Sequence, residues 1–202
     1  MNELPNEPEP ATPEPATPVP ATATRDDTSL AFLVHRLSAH LNAEGFPTGD
    51  RAELRRMQEG EPAPAFWKIV ARFLDDQLAA GSGPLRESQE RRWALILAAL
   101  AEVHDLHRRG RSLGHALAEA EVTEARVDRL LRAHGAAVAH LVRAVVHQLS
   151  TRGTAVDLTD LAWLVLSDGR RDEERARRKV AREYYQALYR RQHAGAGAAA
   201  SS

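Results

Sequence analysis

Residues 93–101 read WALILAALA, an uninterrupted run of apolar residues between charged flanks. Leucine and alanine dominate it, and the charges around it predict a helix over about 85–108. Because the run is apolar on every side of such a helix, we expect it to be the most enclosed helix of the first half. A membrane span needs about 18 apolar residues, so the run indicates a protein core and not a membrane segment.

Helical periodicity continues on both sides of this stretch. Before it, apolar residues recur at a 3.6-residue period, and Asp157 is the expected N-cap of one helix after it. No convincing alternating strand pattern is present, so the sequence predicts an all-α fold of about eight or nine helices in two small bundles. The further predicted helices contain residues 30–41, RAELRRMQ, AFWKIVARFLDDQLA, SLGHALAE, TEARVDRLLRA, residues 136–150, DLTDLAWLVLS and residues 170–191.

Composition shifts divide the chain into four predicted regions. Residues 1–26 hold most of the 11 prolines and several glutamates, which predicts a disordered Pro/Glu-rich arm, or a proline ligand for a recognition module. Residues 27–109 form the N-terminal helical bundle and residues 110–193 the C-terminal one. Residues 194–202 are predicted to be a disordered tail.

The composition excludes several kinds of chemistry. The chain has 202 residues and no cysteine, so disulfides, thiolate metal sites and cysteine nucleophiles are ruled out. GxGxxG, Walker and GxSxG motifs are missing. His104 and His107 share a helix face, but no third ligand completes a metal set, and His140 and His147 flank Arg143 on a polar face. We expect no enzyme, no cofactor and no metal, and a cytoplasmic location.

Basic residues are almost all arginine, because Lys68 and Lys179 are the only lysines among 27 bases. Residues 1–27 are acidic, so the rest of the chain carries a net charge of +4 although the whole chain has −1. Arginine binds phosphate through a bidentate fork, which indicates a nucleic-acid partner. A codon bias toward arginine explains the composition equally well.

The last predicted helix separates its apolar and basic residues. At 100° per residue, Arg171, Arg175, Arg178 and Arg182 fall within an arc of about 60°, opposite an apolar stripe, and Tyr185 and Tyr189 continue their line. Neighbouring cations repel one another, which favours a bound anion there. An ordinary solvated helix face remains an equal alternative. Scarce asparagine and glutamine predict phosphate contact without base readout.

The order and spacing of four segments resemble the CasB family, the small subunit of the type I-E CRISPR Cascade complex. The resemblance covers about 50–190 and lies in AELRRM followed by PAFWKIV, in SLGHALAEAEVTEARVDRLLRA, in VDLTDLAWLVL and in RRDEERARRKVAREYY. It implies a non-catalytic helical subunit that contacts the backbone and large Cascade subunits and a second copy of itself. It also implies binding to the displaced and target strands of crRNA-guided DNA.

The resemblance assigns phosphate contacts to particular arginines. It implies this role for Arg55 and Arg56 in LRRM, Arg132 in VDRLLR and Arg143 in HLVRAVV, and for Arg171, Arg175 and Arg178 in the terminal motif. The arm before residue 27 departs from the family pattern. Two other functions stay open: a free-standing helical DNA-binding regulator, and a purely structural scaffold whose arginines face acidic proteins.

Overall fold

The computed structural model describes residues 25–57 and 62–199, which form an all-α protein. The predicted fold class is confirmed, since these ranges contain helices and no extended strand. The helices are α1 (Arg25–Asn42), α2 (Thr48–Arg56), α3 (Pro64–Ile69), α4 (Pro84–Val103), α5 (Leu113–Glu119), α6 (Glu124–Arg132), α7 (Ala136–Thr151), α8 (Thr159–Ser167) and α9 (Glu173–Ala199).

The predicted arm and tail lie largely outside the described residues. Only Arg25 and Asp26 of the arm are described, as the first residues of α1. The backbone of 194–199 continues α9, and the rest of the predicted tail is not described. None of the described helices is long and apolar enough to cross a bilayer.

Helix α4 is the centre of the core, as the apolar run predicts. Every residue from Trp93 to Ala101 is buried, because α1, α2, α7 and α8 all pack around this helix. The buried side chains of both halves form one continuous cluster. The division predicted between residues 109 and 110 falls in the loop between α4 and α5 and stays a prediction.

That loop is joined to the segment between α7 and α8 by backbone hydrogen bonds. The Val156 N–H donates to the Leu106 carbonyl at 2.9 Å, and the Arg108 N–H donates to the Val156 carbonyl at 3.0 Å. Asp157 adds two side-chain bonds, accepting from Gly110 N–H at 2.9 Å and from Thr159 N–H at 3.0 Å. The N-cap of α8 is Leu158 and not Asp157, since Asp157 lies one residue further out and receives the first N–H of the helix.

The helix predicted from AFWKIVARFLDDQLA changes its winding. After α3, residues Val70–Leu74 form a π-helical turn and Asp75–Gln77 a 3₁₀ turn. A π turn takes more residues than an α turn. Val70 and Leu74, at the two ends of this turn, are both buried.

Helix α9 packs closely along α5 and also contacts α6 and α8. Gly114 permits the close approach, because a β-carbon there would lie 2.6 Å from the Val180 carbonyl oxygen. Tyr184 is fully buried on the same side, and its hydroxyl donates to the Val122 carbonyl at 2.7 Å. One side of α9 is therefore fixed against the core, and its other side faces solvent.

Candidate nucleic-acid interface

Of the four arginines predicted as one stripe, three lie in a helix and one lies in the turn before it. Helix α9 begins at Glu173, so Arg171 lies in the preceding turn, outside the helical period. Arg175, Arg178 and Arg182 lie within α9, and all of them are exposed. The rotation of 100° per residue therefore applies only to the three arginines within α9, and Arg171 lies just before the helix.

These arginines differ in their partners. The Arg178 Nε donates to Glu174 Oε1 at 2.8 Å, one turn earlier, and both side chains are exposed. Such i,i+4 pairs contribute only about 0.3–0.5 kcal/mol, so a phosphate competes easily for Arg178. Arg175 also interacts within the chain. The exposed Arg182 guanidinium has no hydrogen bond or ion pair with any described residue, which agrees equally with a solvated helix face and with a phosphate-binding one.

Arg177, which lies between two stripe residues in sequence, has a structural role. Its side chain is 13% exposed and bonds Glu173 Oε1 and, at 2.6 Å, the Ala133 carbonyl. Asp168 joins this cluster, since Gly135 N–H donates to its Oδ2 at 2.9 Å. The network ties the end of α6, the end of α8 and the start of α9 together. Because the Arg177 guanidinium is already paired with these carboxylates and with the Ala133 carbonyl, it is not available to bind a ligand.

A second basic surface lies between α4 and α7, and we call it the α4–α7 groove. Two adjoining cavities of about 330 and 170 Å³ form it, and both are lined by Leu95 and Arg143. Arg143 is half-buried, and its guanidinium has no hydrogen-bond or ion-pair partner within residues 29–57 and 62–193. Arg55 lines the smaller cavity, with its Nε 3.7 Å from Glu102 Oε2. The fold thus brings these two predicted residues to one groove.

The groove continues toward the start of α9. Arg92 lines the larger cavity and also a third one, of about 460 Å³, whose wall includes Arg170. Arg92 is fixed there by donating to the carbonyls of Leu166 and Asp168, each at 2.9 Å. Basic residues therefore follow one another from the α4–α7 groove to the turn that holds Arg171.

Two of the predicted phosphate-binding arginines do not line the cavities of the α4–α7 groove. Arg56 is exposed and donates through Nε to the Ala52 carbonyl of its own helix at 3.1 Å. Arg132 is exposed on α6 and pairs with Asp128 at 2.7 Å. Both contacts are local to one helix, so they leave the two guanidinium groups on the surface.

Comparison with known proteins identifies the family. A profile described as CRISPR-associated protein Cse2 matches residues 50–185. The chain belongs to the Cse2 family. The resemblance to the CasB family is therefore confirmed. A search of curated proteins gave no match.

The Cse2 match begins in α2 and ends in α9, so it contains all eight predicted site residues. Among solved structures, one similar chain belongs to the crystal structure of E. coli Cascade bound to a PAM-containing dsDNA target. It has a TM-score of 0.53 and 19% identity, and the alignment covers 80% of this chain and 97% of that chain. This second comparison supports the helical fold.

The histidines of this Cse2 chain are arranged differently from the predicted pair. His104 contacts Asp105, whereas His107 turns toward His35 and Asp157. The Nδ1 of His107 accepts the Leu158 N–H at 3.3 Å, so the proton of the neutral ring is on Nε2, which is then unable to ligate a metal. Burial lowers the pKa of His107 to about 4, with His35 and Arg108 also lowering it and Asp157 opposing them.

A second cluster of potential ligands is formed by His134, Asp168 and Glu173. The Arg177 guanidinium already lies among these groups, with its Nη2 3.8 Å from Asp168 Oδ1 and a closer contact to Glu173. Its positive charge takes the place that a metal cation would need. We therefore interpret this cluster as an ion-pair network.

Sequence reasoning missed the contribution of Arg91, Arg92 and Arg170 to the basic surfaces. Arg91 and Arg92 become neighbours of Arg143, and Arg92 becomes a neighbour of Arg170, only because α4, α7 and the end of α8 pack together. No spacing along the chain signals that proximity. The pair of exposed tyrosines on α9 was visible in the helical period, and the structure adds that both rings are open to solvent.

Proposed function

We propose that this Cse2-family chain is the small, non-catalytic subunit of a cytoplasmic type I-E CRISPR Cascade complex. It binds nucleic-acid phosphates without sequence specificity and stabilises target DNA in the R-loop. Family membership and the likeness in fold to a chain of DNA-bound E. coli Cascade support this role. Its partners are then the backbone and large subunits, a second copy of itself, and the displaced and target strands of crRNA-guided DNA.

The observation that carries the proposal is the unpaired, half-buried Arg143 in the α4–α7 groove. A guanidinium that has lost part of its hydration without a protein partner favours an anionic ligand. Phosphate matches its fork geometry. The cavity walls of the groove contain no asparagine or glutamine, the side chains that read adenine edges, so contact with the backbone and not with bases is expected.

The effect on the R-loop is thermodynamic. An RNA–DNA heteroduplex is about as stable as the DNA duplex that it replaces, so the exchange is nearly balanced. Each phosphate held by an arginine such as Arg143 or Arg182 releases counterions and adds free energy to the open state. A few contacts are therefore enough to shift the population toward the R-loop, and no bond-making chemistry is required of the subunit.

The first test replaces Arg171, Arg175, Arg178 and Arg182 together by alanine. We expect weaker R-loop binding by the assembled complex, with normal assembly and normal helical content, because the four side chains lie on the surface. With about −0.7 per phosphate on single strands, the slope of log K against log salt becomes shallower by about 3. Filter binding or interferometry at several salt concentrations measures both quantities.

A matched control removes the same charge from elsewhere on the surface. The exposed residues Arg36, Arg72, Arg111 and Arg152 are changed together to alanine, and the R-loop affinity should change much less. If both quadruple variants weaken R-loop binding equally, the loss comes from the lower net charge and not from the position of the arginines. Normal affinity and an unchanged slope in the α9 variant would contradict the assignment of these four residues.

A scaffold without nucleic-acid contact is the rival function. The surface pairs Arg178–Glu174 and Arg132–Asp128 favour it, because such pairs are common on ordinary solvated helices. A scaffold predicts that the isolated chain does not bind DNA even at low salt. A free-standing regulator predicts, instead, a footprint of the isolated chain on a preferred duplex sequence.

A further inference from the structure

Two tyrosines of α9 are exposed on the same face as its arginines. Tyr185 is 48% exposed and Tyr189 is 63% exposed. They lie one helical turn apart, within the arc of about 60° that also contains Arg178 and Arg182. A cationic segment of α9 is therefore followed directly by an aromatic one.

The charge around these rings is positive. In the arc from Arg178 to His193, the described part of α9 has no acidic side chain. Glu183 lies on a different side of the helix, where its Oε1 is 3.6 Å from Lys179 Nζ. An anionic partner meets two guanidinium groups and no carboxylate beyond Arg178 on this face.

The rings are also held by their neighbours. The Tyr185 ring meets the buried Tyr184 ring edge-on, with the centroids 5.3 Å apart and an angle of 79° between the planes. Tyr184 is fixed by its hydrogen bond to Val122. Tyr189 packs against His193 at a centroid distance of 4.0 Å. Such support lowers the entropy that a ligand must remove on binding.

Exposed aromatic rings beside arginines suit one class of ligand especially well. Proteins that bind single-stranded nucleic acid combine cations for the phosphates with aromatic side chains on which unpaired bases stack. A duplex offers no such faces, because its bases already stack on one another. The combination on α9 therefore distinguishes a single strand from a duplex, which arginines alone do not.

We propose that Tyr185 and Tyr189 are a stacking site for unpaired bases of a strand whose phosphates lie on Arg178 and Arg182. The inference rests on the proposed function and extends it from phosphate contact to selection of single-stranded nucleic acid. Stacking is tolerant of sequence, since every base has a π-face, so the site is consistent with binding that reads no sequence.

The test compares two fluorescent strands of equal length and charge, one of thymidines and one of abasic sites. The full-length chain should bind the thymidine strand at least about fivefold more tightly for each stacked base. Changing both Tyr185→Ala and Tyr189→Ala should abolish this preference and leave the salt slope unchanged. Changing both to phenylalanine should retain it, because the rings remain.

The outcomes separate this inference from the proposed function. If the wild-type chain binds both strands equally, or if the alanine variant keeps the preference, the stacking site is wrong while phosphate binding stands. If neither strand binds at 50 mM salt, phosphate binding and the stacking site are both overturned. If the alanine variant alters only the sedimentation mass of the free chain, the tyrosines belong to an interface between copies and the stacking site is overturned.

Discussion

His107 shows how one buried side chain makes the stability of the protein depend on pH. It is 9% exposed, its Nδ1 accepts the Leu158 N–H, and its Nε2 has no partner among the described residues. Its ring is therefore held in the neutral state. Protonation is unfavourable in the folded chain because burial lowers the pKa of His107 from 6.5 to about 4.

The first prediction concerns this pH window. Between pH 6.5 and about 4 the unfolded chain binds a proton at His107 that the folded chain does not, so the free energy of unfolding falls as the pH falls. The loss attributable to His107 is about 3 kcal/mol over the window, at 1.36 kcal/mol for each pKa unit. Urea unfolding at pH 6.5, 5.5 and 4.5 measures it.

Two variants isolate the contribution of this residue. In His107→Asn an amide oxygen replaces Nδ1 as an acceptor and does not titrate, so this part of the pH dependence should disappear. His140→Asn, on an exposed position of α7, should retain the pH dependence of the wild type. A His107→Asn protein that loses as much stability as the wild type between pH 6.5 and 4.5 would show that other groups are responsible.

At the scale of the helices, the sequence predicted which helices exist better than the residues at which they begin and end. The run at 93–101 specifies a buried helix by itself, since it is apolar on all sides, and α4 is buried as expected. The start of α9 depends instead on side-chain contacts between residues four apart in the sequence. Glu173 accepts the Gly169 N–H at 2.7 Å and also contacts Arg177, so the helix begins at Glu173 and Arg171 lies in the turn before it.

The π-helical turn that follows α3 could also not be predicted from the sequence. The apolar residues from Phe66 to Leu74 fit an α-helix, and the period alone gives no reason for a π turn. Val70 and Leu74, at the two ends of the turn, are both buried in the core that the other helices share.

The second prediction tests the packing of α5 against α9. In Gly114→Ala the new β-carbon would lie 2.6 Å from the Val180 carbonyl oxygen and 2.7 Å from the Tyr184 nitrogen. Backbone atoms yield only by moving α9, so we expect a loss of about 1–3 kcal/mol in the free energy of unfolding. Gly49→Ala is the matched control, because its β-carbon meets nothing within 4 Å.

Thermal and urea unfolding of the two variants measure this difference. The displacement should also weaken nucleic-acid binding, because Arg182 and the exposed tyrosines are carried by the same helix. Gly49→Ala should be as stable as the wild type or slightly more stable, since alanine favours helix. Equal stability of the Gly114→Ala protein would mean that α9 adjusts its distance from α5 without loss.

At the scale of the whole molecule, the candidate site is assembled from distant segments. The helical period found the exposed arginines of α9, and the family resemblance supplied Arg55 and Arg143. Arg55 and Arg143 meet in the α4–α7 groove, together with Arg91 and Arg92, only because α2 and α7 both pack against α4. A sequence shows which residues carry charge, whereas the fold decides which charges are neutralised and which remain open.

The third prediction uses two groove arginines with opposite roles. Arg143→Met keeps the aliphatic volume and removes an unpaired charge, so the free energy of unfolding should stay equal or rise by up to about 1 kcal/mol. Arg92→Met leaves the carbonyls of Leu166 and Asp168 without their donor and should lower it by about 1–3 kcal/mol. Nucleic-acid affinity should fall in the Arg143→Met protein although its stability does not.

This opposition follows from selection for binding over stability. A residue that only stabilises the fold weakens both properties when it is removed, whereas a ligand-binding charge left unpaired in the free protein destabilises it slightly. Urea unfolding and strand-binding titrations on the same protein preparations compare the two properties directly. A loss of stability in the Arg143→Met protein as large as that in Arg92→Met would assign Arg143 to the fold and not to the phosphates.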